Sequence, residues 1–183
     1  MRTDLPKVNL GNITLRELCE ADYFDYFFIG SNPEVVKYLN WGPLLSMNDS
    51  IWVFNEVFLK RPLNGLPIGY AICNQDKMIG VIDFHTYYPN ENACEIGYIL
   101  HKDYWNKGIM TRALKEVCKI GFYHLCLDKL IVGHVIENEA SKRVILKAGF
   151  HYECQKLINQ KNQDTIALYY SMYSYEYKKG KYD

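Results

Sequence analysis

The spacing of apolar residues changes period along this chain, and the change divides it into two stretches. Residues 13–18, Ile-Thr-Leu-Arg-Glu-Leu, alternate with a period of two and predict a strand with one buried face. Residues 20–29 and 33–39 predict short helices, the second opened by Pro33 at a first-turn position. Trp41-Gly42-Pro43 then breaks the chain. Asn48-Asp49-Ser50 reads as the cap region of a helix running to about residue 60, with Ile51, Phe54, Val57 and Phe58 along one face. Residues 61–65 read as a loop. Residues 68–73, 77–87 and 93–100 predict three strands joined by short polar turns, an antiparallel meander.

Beyond residue 100 the period lengthens. Residues 108–123 predict a helix whose Met110, Ala113, Leu114, Val117 and Gly121 recur at helical spacing. Residues 129–136 are β-branched and strand-like. Residues 138–148 predict a second helix, with Gly149 where a C-terminal glycine belongs. Residues 150–154 and 165–175 complete the strands, with 159–164 as a polar turn. An antiparallel sheet followed by β-α-β-α-β predicts a mixed α/β (α+β) domain with a mostly antiparallel central sheet flanked by helices.

At 183 residues the chain is long enough for one domain, 1–183, with a real core. Lys+Arg and Asp+Glu both number 21, so there is no basic excess to neutralise nucleic-acid phosphates. No apolar run reaches the roughly 18 residues of a membrane span, and the polar first ten residues do not read as a signal peptide. The expected location is therefore cytoplasmic, with no membrane and no nucleic-acid partner. The cysteines at 19, 73, 94, 118, 126 and 154 form no C-x-x-C pair and have no histidines at zinc spacing, so they read as reduced core residues with no metal site. Sixteen tyrosines, with Tyr169, Tyr170, Tyr173, Tyr175, Tyr177 and Tyr182 near the C-terminus, suit a half-wet terminal strand or a dimer contact.

The chemistry concentrates where the period changes. The strand Glu95-Ile96-Gly97-Tyr98-Ile99-Leu100 runs into Trp105-Asn106-Lys107-Gly108-Ile109-Met110-Thr111 and then into a helix. A strand, a short glycine-bearing loop and a helix start aim backbone N–H groups at an anion. The helix dipole and Lys107 add positive charge, which points to a phosphate-bearing ligand. Gly108 as a plain turn residue is the alternative.

These segments, taken in order with Asn138-Glu139-Ala140-Ser141, Lys147-Ala148-Gly149-Phe150, Thr14-Leu15-Arg16 and Gly80-Val81-Ile82, resemble the GNAT acetyltransferases. Within that family the chain is similar to the Rim-type ribosomal-protein N-terminal acetyltransferases. The resemblance covers nearly the whole chain. It implies acetyl-CoA as co-substrate and a primary amine as acceptor, either a protein or peptide N-terminus or a small amine such as a polyamine, amino acid or antibiotic. A monomer or a homodimer fits equally. The chain departs from the family pattern in two places. Trp105 and Met110 stand where the phosphate loop usually has Gln or Arg and Gly or Ala. Ile145 stands where many relatives carry a tyrosine that protonates the leaving thiolate, which leaves a non-catalytic acyl-CoA-binding module as a further alternative.

The resemblance also implies roles. Asn106, Lys107, Gly108, Met110 and Thr111 would cradle the pyrophosphate. Tyr98, Ile99 and Leu100 would offer strand-edge backbone to the pantetheine arm. Asn138 would bond the same arm, although an asparagine there also suits a helix cap. Arg112 and Lys115 could reach outer phosphates. Glu95 would take the proton of the attacking amine, directly or through water, against the alternative of a solvated strand carboxylate. An α-amine, with a reference pKa of roughly 8, needs less help from such a base than a lysine at roughly 10.4. Asp83 and His85, two apart on one strand, would bind the acceptor, unless they are simply solvated. Ser141 would stand in for the missing tyrosine at the sulfur.

Overall fold

A computed structural model of the chain describes residues 2–179, so Tyr182 of the tyrosine cluster lies outside the described residues. One eight-stranded sheet runs through the molecule in the order β1-β2-β3-β4-β5-β6-β8-β7. Its strands are β1 (Val8–Leu10), β2 (Ile13–Glu17), β3 (Tyr70–Asn74), β4 (Lys77–Tyr88), β5 (Ala93–Leu100), β6 (Lys129–Val135), β7 (His151–Gln160) and β8 (Gln163–Tyr173). Every pairing is antiparallel except β5 with β6. The helices are α1 (Tyr23–Gly30), α2 (Met47–Val53), α3 (Ile109–Tyr123), α4 (Glu139–Ala148) and α5 (Ser174–Tyr177).

Two apolar layers sandwich the sheet. On one face, α3 and α4 pack Leu114, Val117, Phe122 and Ile145 against Ile82, Phe84, Ile96, Leu130 and Val132. All five apolar positions expected on α3 are buried. Gly121 lets that helix approach closely, since a Cβ there would lie 3.0 Å from Leu130 Cδ2. On the other face, α1 and the turn that continues α2 over Phe54–Phe58 place Tyr26, Ile29, Phe54 and Phe58 over Val81 and Ile99. The rings of Tyr26, Phe54 and Phe58 meet edge-on, with centroids 5.3–5.6 Å apart.

The structure corrects several expectations. Residues 33–39 form turns rather than a helix. Val36 is fully buried there, its methyl groups 3.1 Å from where a Cβ on Gly42 would sit, so packing folds the segment back before a second helical turn. Helix α2 is capped by Ser46, whose Oγ accepts from the amide of Asp49, and not by the 48–50 stretch. It continues as a π-turn over Phe54–Phe58, which buries Phe54 and Phe58 while Val57 is exposed. The loop expected at 61–65 contains a 3₁₀ turn, Arg61–Asn64. β1 was not foreseen. The expected turn at 159–164 is mostly strand, because β7 and β8 pair out to Gln160 and Gln163 around Lys161-Asn162, both at positive φ. β8 stops at Tyr173 and gives way to α5. Of the cysteines, Cys73, Cys94 and Cys118 are core residues, whereas Cys19 and Cys126 are exposed. Among the described residues no helix is long and apolar enough to cross a membrane.

Candidate active site

β5 and β6 pair only through Ala93–Lys129, Cys94–Leu130 and Glu95–Ile131. Past Glu95 the two strands part. The antiparallel register with β4 decides which backbone groups of β5 face the gap. His101 donates to the Ile79 carbonyl (2.7 Å), which makes 79–101, and by alternation 81–99 and 83–97, the hydrogen-bonded pairs. Ile99 therefore spends its backbone groups on β4. Tyr98 and Leu100 turn theirs toward the gap. The Leu100 carbonyl is taken by the Trp105 indole, Nε1 to O 2.8 Å, which anchors the start of the loop to the end of β5.

The loop leads into α3 through two left-handed residues, Asn106 (φ 59°) and Gly108 (φ 69°). Gly108 is the N-cap, so no side chain caps the helix, and the first turn carries no acidic residue. The helix bonds begin with Arg112 N to Gly108 O at 3.1 Å. The amides of Ile109, Met110 and Thr111 thus have no partner within the helix and no capping oxygen. A Cβ at Gly108 would meet nothing within 4 Å, so the N-cap residue itself is unobstructed. Lys107 lies above the Tyr104 ring, Nζ 5.2 Å from its centroid. Free first-turn amides beside a lysine suit an anionic group such as a phosphate, and an amide at Met110 is open to such a group whatever the side chain. Of the outer cations, Arg112 donates to the Leu10 carbonyl at 3.2 Å, and Lys115 is exposed.

α4 begins differently. Asn138 caps it, its Oδ1 accepting from the Ser141 amide at 3.1 Å. The Ser141 hydroxyl lies 2.8 Å from the Tyr98 hydroxyl, which reaches across from β5. Burial pushes the Tyr98 phenol above its ordinary pKa, partly offset by the bond to Ser141. Ile145 is fully buried one turn further on.

Side chains alternate along β5, so Glu95 and Gly97 point to the face opposite Tyr98. There Glu95 is ringed by polar groups. The Tyr88 hydroxyl donates to its Oε2 at 3.2 Å, and His85 Nε2 lies 3.9 Å from Oε1. Burial and the Glu95 charge push Tyr88 up to about 12 and raise Tyr169 as well, so both phenols stay protonated beside the carboxylate. A β-bulge at His85, between the Phe84–Ile96 and Thr86–Glu95 pairs, leaves that histidine unpaired. Its ring lies over Gly97, where a Cβ would come within 2.9 Å of His85 Cδ2 and 3.5 Å of Asp83 Oδ1. Asp83 and His85 thus share the Glu95 face. Asp83, however, is 8% exposed and its carboxylate is held by Arg61, Nη1 to Oδ2 3.0 Å. Arg61 is itself buried, stacks on Phe58 at 4.7 Å and donates to the Ile68 carbonyl.

The structure therefore brings the sequence candidates together as two groups on opposite faces of β5, Glu95 with His85 and Asp83 on one, Ser141 with Asn138 and the Tyr98 side chain on the other. Sequence reasoning missed Tyr88, Tyr169 and Arg61. The hairpin pairing of β4 with β5 could have placed Tyr88 near Glu95. Nothing in the sequence pointed to the other two.

Comparison with known proteins agrees with this architecture. The acetyltransferase (GNAT) domain family matches residues 12–151, and the chain belongs to that family. It is an N-acetyltransferase of the GNAT type. The uncharacterized N-acetyltransferase YoaA of Bacillus subtilis (strain 168) is 28% identical over 149 residues, 81% of this chain and 84% of that protein. A GNAT-family acetyltransferase from Bacillus anthracis superposes with a TM-score of 0.82 at 24% identity, covering 93% of this chain and all of the other. RimL, a ribosomal L7/L12 α-N-protein acetyltransferase solved with coenzyme A, superposes with a TM-score of 0.81 at 19% identity, covering 92% and 98%. The solved structures share the fold, and membership of the acetyltransferase family implies acetyl-CoA as the acyl donor.

Proposed function

We propose that this chain acetylates the α-amine of a peptide or protein, with Glu95 as the base. The observation that carries the reading is the division of labour across β5. A hydrogen-bonded carboxylate sits on one face and a hydroxyl pair on the other, with the outward backbone of Tyr98 and Leu100 along the gap between them. A thioester lying along that edge is approached by the amine from the Glu95 face and releases its sulfur on the Ser141 face.

Acetyl-CoA supplies the acyl group as a thioester. The amides of Ile109, Met110 and Thr111, with Asn106, Lys107 and Gly108, hold its pyrophosphate. Tyr98, Leu100 and Asn138 hold the pantetheine arm. Glu95 accepts the ammonium proton, with His85 beside it to pass that proton to solvent. The neutral nitrogen adds to the carbonyl as the C–N bond forms, the C–S bond breaks and the electron pair leaves on sulfur. The second proton shed by the nitrogen goes to solvent, while the thiolate takes one from solvent to leave as the thiol. A peptide α-amine, closer to neutral pH in its proton affinity than a lysine, asks less of a solvent-accessible carboxylate.

The test is thiol release on a matched panel: a peptide with a free α-amine, the same peptide blocked at the α-amine with a free lysine, a polyamine and single amino acids. Acetyl-CoA should raise the melting temperature. The free α-amine peptide should turn over, and Glu95→Gln should lower single-turnover rates by about 10²-fold or more. Turnover confined to the polyamine or amino acids would replace this reading with a small-amine acetyltransferase. Stabilisation by acetyl-CoA without any turnover would leave a binding module.

A further inference from the structure

The position that carries a thiolate-protonating tyrosine in many relatives is Ile145, fully buried in the core, so no hydroxyl can come from there. Ser141 remains, and a lone serine hydroxyl is a weak donor with a freely rotating proton. Here it is not alone. The Tyr98 hydroxyl lies 2.8 Å from Ser141 Oγ and 3.4 Å from the Ser141 carbonyl. Each hydroxyl carries one proton. If the phenol donates to Ser141 Oγ, the serine proton cannot point back at Tyr98 and must turn elsewhere. The Ser141 amide is already committed to Asn138 Oδ1, so the first turn of α4 is fixed in place while this choice is made.

We propose that Tyr98 is a positioning residue for acetyl transfer: its phenol donates to Ser141 Oγ and thereby aims the serine proton at the thioester sulfur. The pair forms a two-hydroxyl donor that meets negative charge as it develops on the departing sulfur. No proton need leave the phenol. Thiol and phenol have reference pKa values of roughly 8.5 and 10, so full transfer from Tyr98 to the thiolate runs uphill, and burial steepens it. The phenol therefore stays protonated as a fixed donor, and its contribution is a hydrogen bond preorganised for the transition state. The tyrosine of the Glu-Ile-Gly-Tyr segment then acts through its side chain as well as its backbone, from the face opposite the base.

This inference rests on the acetyl-transfer reading, and its test keeps the two apart. Single-turnover acetyl transfer is measured for wild type, Tyr98→Phe, Ser141→Ala and the double variant, with coenzyme A affinity by calorimetry and melting temperature for each. Tyr98→Phe removes one oxygen and keeps the ring. It should lower the rate by up to about 10-fold, the effect of losing one ordinary hydrogen bond, with coenzyme A affinity within twofold. Ser141→Ala should lose more, and the double variant should match Ser141→Ala, because Tyr98 acts only through the serine. A Tyr98→Phe rate within twofold of wild type would overturn the proposal and leave the Glu95 reading intact. So would losses that multiply in the double variant, or a loss tracking lower coenzyme A affinity or melting temperature. Should Tyr98→Phe not fold, the pH profile of Ser141→Ala still tests the serine role on which Tyr98 would act. The serine-sulfur role predicts a rate deficit constant from about pH 6 to pH 9, where both hydroxyls stay protonated. A deficit that changes with pH overturns it. A wild type without turnover overturns both readings.

Discussion

Replacing Asp83 by alanine separates a structural role for this carboxylate from a role in holding the acceptor. Asp83 and Arg61 are 8% and 9% exposed, and their closest charged atoms are 3.0 Å apart. Removing one member leaves the Arg61 guanidinium with a single carbonyl partner, Ile68 O at 3.2 Å, and the Phe58 ring. Breaking a buried pair in this way costs roughly 3–5 kcal/mol. At roughly 2–4 °C per kcal/mol for a domain of this size, Asp83→Ala should lower Tm by about 10 °C. Asp83→Asn, which can still accept from Arg61, should fall between. Arg61→Ala with Asp83→Ala should be less destabilised than the sum of the single variants by about 1 kcal/mol or more, because neither charge is then left unpaired. Urea midpoints at fixed m give the three free energies. A Tm loss under about 3 °C for Asp83→Ala, or strictly additive single variants, would refute the buried-pair argument. The amine KM of Asp83→Asn, taken well below its Tm, addresses the other role. A KM within twofold of wild type assigns Asp83 to the architecture, and a tenfold rise returns it to the acceptor site.

Other outcomes follow from the same geometry. Gly97→Ala places a Cβ 2.9 Å from a half-exposed His85 ring on a bulge, so the ring should swing aside with little loss of Tm while single-turnover rates fall severalfold. Asn138→Ala should cost about 0.5–2 kcal/mol through loss of the α4 cap, whereas Asn138→Asp keeps the cap and should lower coenzyme A affinity alone. Gly108→Ala meets no clash but must hold a left-handed φ, a cost of about 1–2 kcal/mol, and should weaken coenzyme A binding measured by calorimetry. His134 is buried against Tyr170, and burial lowers its pKa from the ordinary 6.5, opposed by its bond to the Val135 carbonyl, with Lys142 lowering it further and Glu139 raising it slightly. The unfolded chain therefore binds a proton there first. This contribution to stability is complete above about pH 6.5 and is lost as pH falls toward the depressed folded value, so His134→Phe should flatten the Tm profile between about pH 7 and pH 5.

What the sequence revealed of this fold was what short-range periodicity encodes. β5 and α3 are nearly as expected, because an alternating run and a helical apolar stripe each sit between clear breakers. Gly149 ends α4 in a left-handed conformation, as its place predicted. What stayed hidden depends on distant partners. The bulge that turns His85 over Gly97 arises from register between β4 and β5, and the turn at 33–39 from Val36 packing beside Gly42. The hairpin at Lys161-Asn162 lacks the glycine that usually marks such a turn. In the site, the loop and the α4 cap were legible as local motifs. The Tyr98–Ser141 bond joins residues 43 positions apart, and the Arg61–Asp83 pair joins a 3₁₀ turn to a strand. Neither leaves a mark in any window of sequence.

The parting of β5 from β6 has a consequence for how the free protein exchanges its amide hydrogens. Tyr98 and Leu100 lie in the middle of an eight-stranded sheet, yet their amides face no neighbouring strand. Their neighbours Ile99 and Gly97 are bonded to β4, and Ile99 is packed in the core. Deuterium should therefore enter β5 at every second residue, fast at Tyr98 and Leu100 and slow at Ile99, a pattern expected of an outer edge and here placed at the centre. On the proposed reading, a thioester arm lying in the gap would supply the missing acceptor. Saturation with coenzyme A should slow the fast positions and leave the slow ones unchanged, as expected of an arm that takes the place of the absent strand.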